Sequence, residues 1–135
     1  MLSLDHIVIS SSNIEEAARK FRKEFSIETT KGGQHDVWGT YNHLAYFAND
    51  CYIEWLGMKD ADVARHSDNP LIRHLVHIMD NDRHGSFQFA LRTNRMDEFV
   101  SHFQNEKIPF VGPVEGKRRK PDGKLLTMAD VVSGL

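Results

Sequence analysis

The sequence predicts an α+β fold in which one β-α-β-β-β unit is followed by a connector and by a second, incomplete unit of βαβ type. Three observations carry that expectation: an apolar β-branched run opens the chain and leads into a helix pattern, three further strand-like runs follow, and the opening pattern then begins again near residue 86.

The run Leu4 to Ser10 (L-D-H-I-V-I-S) reads as a strand, stopped by a Ser-Ser-Ser-Asn cluster at 10–13 that ends strands and caps helices. Ser12 with Glu15 fits a capping box, and Ile14, Ala17, Ala18, Phe21 and Phe25 recur at helical spacing. Strand-like runs follow at Ser26 to Thr30, Asn42 to Ala48 and Cys51 to Gly57, the last two joined by a short Asn49-Asp50 turn that predicts a hairpin. Gly57 to Gly85 is polar and rich in histidine, with one short helix that Asn69 caps and Pro70 opens. Phe87 to Arg92 is then a strand, Asn94 a cap, and Met96, Phe99, Val100 and Phe103 a helix face.

An offset of 82 positions carries Ile14, Ala17, Ala18 and Phe21 onto Met96, Phe99, Val100 and Phe103, and Ser12 onto Asn94. It also carries Ile7 and Ile9 onto Phe89 and Leu91, and His6 onto Gln88. Such a repeat means two copies of one supersecondary unit that pack together, because a single copy cannot bury its apolar sheet face. Under the same offset Glu54 falls just past Leu135, so the second copy reads as incomplete. We therefore expect a single domain over 1–135, with a first module at 1–57, a connector at 58–85 and a partial second module at 86–135.

The chain has 135 residues, 17 Lys+Arg against 19 Asp+Glu, and 40% hydrophobic residues, an ordinary globular composition. A net charge of -2 gives no general attraction to phosphate backbones, which argues against a nucleic-acid partner. No run approaches the roughly 20 apolar residues of a membrane span, so no membrane partner is expected. The one cysteine, Cys51, forms no internal disulfide and suits a reducing compartment, and the opening residues lack a basic signal-peptide start; a cytoplasmic location is expected. A P-loop, a dinucleotide fingerprint and a G-x-S-x-G elbow are all absent.

Glu54 sits inside the apolar run Tyr52-Ile53-Glu54-Trp55-Leu56, where a carboxylate must face water or be paired, since burying it alone is costly. His6 is either a satisfied histidine at a strand start or a functional group, and Gln88 either a polar residue on a half-exposed strand or a ligand. His35, Asn42 and His43 belong to a segment in which Gly32, Gly33 and Gly39 permit tight turns; it is a polar loop or the mouth of a binding site. His66, His74, His77 and His84 crowd the connector, as a solvated face or a metal site. Lys117, Arg118, Arg119 and Lys120 precede the turn signature Pro121-Asp122-Gly123, as a solvated hairpin or a hold on an anionic ligand.

The repeated βαβββ pattern, with L-D-H-I-V-I at 4–9, G-G-Q-H-D-V-W-G-T-Y-N-H-L at 32–44, Y-I-E-W-L at 52–56 and G-P-V-E-G-K-R-R-K-P-D-G-K-L-L-T at 112–127, resembles the vicinal oxygen chelate superfamily. More closely, it resembles the bacterial glyoxalase-like domain proteins of unknown substrate within that superfamily. Members usually read Trp-Arg and continue through further strands after the position of Thr127, whereas this chain reads Met-Ala-Asp-Val-Val-Ser-Gly-Leu, which implies a shortened second module. The resemblance implies a divalent metal ion (Zn, Ni, Mn or Fe) held by His6, Glu54 and Gln88, with the fourth ligand position absent. It also implies a small-molecule substrate contacted by His35, Asn42, His43, Arg118 and Arg119. The activity implied is that of a metal-dependent lyase or isomerase acting on a small carbonyl compound, with Glu54 as the catalytic carboxylate. The alternative is a non-catalytic binding or sequestering module of the bleomycin-resistance type. An exposed sheet edge in the shortened module implies a homodimer.

Overall fold

The computed structural model describes residues 2–119 and 122–133, with side chains through residue 112 and at 122–124. In chain order the elements are β1 (Ser3–Ser10), α1 (Ile14–Phe25), β2 (Thr30–His35), β3 (Thr40–Tyr46), β4 (Tyr52–Met58), α2 (Ala61–Arg65), α3 (Pro70–Asp80), β5 (Gly85–Arg92), α4 (Met96–Asn105), β6 (Phe110–Arg119) and β7 (Leu125–Ser133). The expected α+β class is what the chain adopts. All seven strands join one sheet in the order β5-β1-β4-β3-β2-β6-β7, with β1 and β4 parallel and the other pairs antiparallel.

Local chemistry sets the element boundaries, in places one or more residues away from the sequence pattern. Asn13, not Ser12, caps α1: its Oδ1 accepts the Glu16 N–H at 3.0 Å. The helix ends where Ser26 turns left-handed (φ 55°) and donates its N–H to the Arg22 carbonyl. That turn takes Ser26 out of the strand expected over 26–30, and the strand starts at Thr30 instead. The hairpin at Asn49-Asp50 forms as expected, with both residues at positive φ (66° and 58°).

The connector holds two helices rather than one. Asp60 caps α2 through the Val63 N–H, and Asn69 caps α3 through the Leu71 N–H with Pro70 in the first turn. The two sheet faces are covered by different helices. Ile14 and Ala18 of α1 pack on Ala45 and Trp55, whereas Ala64 of α2 and Ile72 and Leu75 of α3 pack on Val8, Leu56 and Trp38. Alternation along the strands makes this possible, since successive side chains leave a strand on opposite faces.

The repeat is visible in three dimensions. β1 and β5 lie 82 positions apart at both ends, and α1 and α4 start 82 positions apart. Asn94 does not cap α4; Arg95 occupies the cap position without a side-chain bond, and Thr93 Oγ1 accepts the Arg95 N–H instead. The second unit carries a full β6–β7 hairpin, more strand than the sequence pattern indicated, and β7 runs on to Ser133. Among the described residues no strand corresponds to β4, and no helix is long and apolar enough to cross a membrane.

Candidate functional site

On β1 and β4, His6 stands opposite Tyr52 and Val8 opposite Glu54, so all four side chains share the sheet face away from α1. His6 Nε2 lies 3.3 Å from Glu54 Oε2, and His6 Nδ1 lies 2.6 Å from Asp5 Oδ1. Both ring nitrogens thus meet carboxylate oxygens, an arrangement that suits an imidazolium with two N–H donors or a neutral ring with a cation beside one nitrogen. The other oxygen of Glu54 accepts from Asn42 Nδ2 at 2.7 Å, and Asn42 Oδ1 accepts the Gly33 N–H at 2.7 Å. The contacts Asp5–His6–Glu54–Asn42–Gly33 form one chain across β1, β4, β3 and β2.

Glycine makes room for that chain. A Cβ on Gly32 would lie 1.9 Å from Asn42 Oδ1, so the bare backbone of β2 admits the Asn42 carboxamide. The glycine-rich segment is therefore in part a strand rather than a loop. Burial alone pushes the His6 imidazolium to a lower pKa, but the contacts with Glu54 and Asp5 outweigh it and the group titrates above its ordinary value. For Glu54 burial pushes the carboxyl up, and His6, Asn42 and the charge of His35 outweigh it, leaving the carboxyl below its ordinary value.

His35 is buried on β2, where its Nδ1 is 2.9 Å from Thr40 Oγ1 and its ring meets Trp38. Its cross-strand partner Thr40 is two positions from Asn42 on β3, so His35 shares the sheet face of Asn42 and Glu54. His43 is on the opposite face: it pairs with Trp55 across β3 and β4, on the side packed by α1, and its buried Nδ1 has no hydrogen-bond partner among the described residues. Gln88 stands opposite Val8 on β5, with its Nε2 3.2 Å from His74 Nδ1 of α3. Arg118 and Arg119 fall on β6, and their side chains lie outside the described residues.

The connector histidines are dispersed. His66 bonds the Asp62 carbonyl, His77 neighbours Asn81, and His84 pairs with Asp82. Among the described residues no group of three or more His, Cys, Asp or Glu side chains is placed to hold a metal ion.

Three side chains at the site were not picked out from the sequence. Asp5 fixes the His6 ring, and its signal was the L-D-H triplet itself. Tyr52 stacks on His6 with ring centroids 4.5 Å apart and planes at 15°, and Tyr46 leans on Tyr52 at 5.7 Å. The two tyrosines lie on either side of the Asn49-Asp50 turn and are direct cross-strand partners. Beside them Arg92 of β5 donates to the Asn49 and Asp50 carbonyls at 2.7 and 2.8 Å and lies 3.7 Å from Asp5, tying the start of the second module to the site.

A family model described as "Glyoxalase-like domain" matches residues 4–132. No curated protein matches the sequence. Among solved structures, the fold is similar to a hypothetical protein from Staphylococcus aureus (TM-score 0.83, 22% identity, covering 100% of this chain and 54% of that one). This chain therefore spans about half the length of that protein. It is also similar to methylmalonyl-CoA epimerase from Mycobacterium tuberculosis (TM-score 0.67, 15% identity, covering 93% of this chain and 85% of that one). A third likeness is to a Streptomyces coelicolor methylmalonyl-CoA epimerase variant in complex with 2-nitronate-propionyl-CoA (TM-score 0.64, 16% identity, covering 94% and 83%). At these identities the likeness is one of fold.

Proposed function

The chain belongs to the glyoxalase-like domain family, and we propose that it binds a small carbonyl compound at the His6–Glu54 pair as a metal-dependent lyase or isomerase. The observation that carries this reading is the 3.3 Å approach of an imidazole nitrogen to a carboxylate that is only 7% exposed, each fixed from behind by a second hydrogen bond. A borderline divalent cation accepts imidazole, carboxylate and amide oxygen, so His6, Glu54 and Gln88 are a chemically fitting donor set. Asp5 on Nδ1 is the outer hydrogen bond that orients a ligating histidine, and Asn42 does the same for Glu54. A bound cation would supply Lewis-acid polarisation of the substrate carbonyl. The protein's own part is to hold Glu54 ionised, to fix the His6 ring, and to place His35 and Asn42 alongside. In this reading Glu54 is the carboxylate on which a substrate proton is managed, and the partner in solution is a second copy of the chain.

Elemental analysis and calorimetry with Zn, Ni, Mn and Fe test the reading. Wild type should take up about one divalent ion per chain, and His6→Ala and Glu54→Gln should lose it. A wild type that binds none of the four overturns the enzymatic reading. The second reading, a binding module that works without metal, is favoured by a different observation: His6 and Glu54 already satisfy each other, and Gln88 is engaged by His74. Ligand binding by metal-free protein supports it.

A further inference from the structure

We infer that Arg92 of β5 is a positioning residue for His6: it holds one oxygen of Asp5 so that the other stays on the His6 ring, and through that relay the second module fixes a ligand of the first. This rests on the metal-site reading above and names how β5 acts on that site. Strand alternation sends neighbours such as Asp5 and His6 to opposite faces of a sheet. Yet Asp5 Oδ1 lies 2.6 Å from His6 Nδ1. The pairing of β1 with β5 accounts for the contact: Leu4 pairs with Leu91 and His6 with Ala90, so Asp5 is the extra residue of a β-bulge. A bulge re-aims a side chain, and this one lets the Asp5 carboxylate turn onto the ring of the next residue.

The bulged residue has no partner on β5 to fix it, and Arg92 supplies the hold. Ala90 is the partner of His6, and Arg92, two positions along β5, shares its face. Arg92 Nη1 lies 3.7 Å from Asp5 Oδ2, the oxygen that His6 does not use. The guanidinium is itself anchored, since Nη1 and Nη2 donate to the Asp50 and Asn49 carbonyls at 2.8 and 2.7 Å. A clamp on the turn alone accounts for those two bonds. It does not account for the charge: carbonyls are neutral, and among the described residues Asp5 is the carboxylate that pairs with Arg92. Both side chains are partly exposed, so the ion pair adds little to stability, and its consequence is the direction in which Asp5 points.

Calorimetry with zinc on the full chain compares wild type, Asp5→Asn, Arg92→Gln and the double variant. Asp5→Asn should weaken zinc binding about 10- to 100-fold, the cost of removing the outer hydrogen bond of a ligating histidine. Arg92→Gln should weaken it about 2- to 5-fold, the factor a partly exposed ion pair supports, and should change nothing further once Asp5 is replaced. A turn loosened by loss of the clamp lowers urea midpoints alike in both backgrounds and does not produce that difference. Nitrogen NMR of the His6 ring reads the relay in metal-free protein: the Nδ1 signal should shift in Arg92→Gln and stay in place when Arg92 is replaced in Asp5→Asn. An unmoved Nδ1 signal overturns the inference, as does a zinc affinity that is unchanged in Arg92→Gln or falls by the same factor with Asp5 already replaced. Zinc uptake that ignores Arg92 removes the relay and leaves the metal reading standing. A wild type that takes up no zinc removes the metal reading, and a Nδ1 signal that still answers to Arg92 through Asp5 supports the relay on its own.

Discussion

Asn42 Nδ2 holds Glu54 Oε1 at 2.7 Å, and the orientation of that carboxamide is set from the other side by the Gly33 N–H. Asn42 is 2% exposed, so water does not replace the bond if the side chain is cut back. Asn42→Leu should lower stability by about 1–3 kcal/mol, the cost of leaving a buried acceptor without its donor. The Glu54 carboxyl should also move back toward its ordinary value or above it. Urea unfolding and NMR titration of Glu54 in the variant check both parts.

Gly32→Ala attacks the same carboxamide from the backbone. The new Cβ would lie 1.9 Å from Asn42 Oδ1, so Asn42 or the strand must move. Overpacking of this kind costs about 1–3 kcal/mol. If the clash with Asn42 is the cause, Gly32→Ala should cost clearly less in an Asn42→Ala background than in wild type. A double-mutant cycle in urea measures that difference, and additive costs would place the strain elsewhere.

The His6–Glu54 pair gives the fold a defined pH window. His6 titrates above its ordinary 6.5 in the folded state, so its stabilisation is complete below about 6.5 and is lost as pH rises through the raised value. Glu54 titrates below its ordinary 4.5, so its stabilisation is complete above about 4.5 and is lost as pH falls through the lowered value. Both act together between about 4.5 and 6.5. Urea midpoints should fall from pH 6 toward pH 8 in metal-free wild type, and the double variant His6→Gln, Glu54→Gln should flatten that slope.

How far the sequence foretold this arrangement depended on the range of the interaction. The 82-residue repeat was legible because a helix stripe and a strand alternation are local patterns, and β1 and β5 fall on it at both ends. Capping was legible to within a residue: Asn13 and Ser12 are both good caps, and which one is used depends on the backbone leaving β1. The strand expected at 26–30 was displaced because a left-handed Ser26 is decided by the helix end rather than by β propensity. His6 and Glu54 stood out by chemical incongruity in apolar runs. Asp5 touches its own sequence neighbour, so its signal was the adjacent D-H pair itself; the tyrosines gave none, because their part arises only when β1, β4 and β3 are laid side by side. Asn42 and His43 read as one cluster in sequence, yet adjacent strand residues face opposite ways, and they part to opposite faces of the sheet.

The last prediction concerns assembly. In the sheet order β5 is terminal, so among the described residues one side of its backbone has no strand partner. It also exposes Phe89 (66%) and Leu91 (50%) next to Leu4, and Leu91 is the cross-strand partner of Leu4. In the first module α1 covers the corresponding face, whereas α4 buries none of its residues. An edge strand with an apolar face is a template for pairing, and a twofold axis lets β5 of one protomer meet the same strand of its partner in antiparallel register. Sedimentation at micromolar concentration should therefore show a particle of twice 15.5 kDa. Phe89→Lys with Leu91→Lys puts charge on both protomers at the seam and should give a folded monomer. A wild type that sediments as a monomer while remaining soluble and cooperatively folded would refute the pairing, because the exposed edge would then be tolerated without a partner.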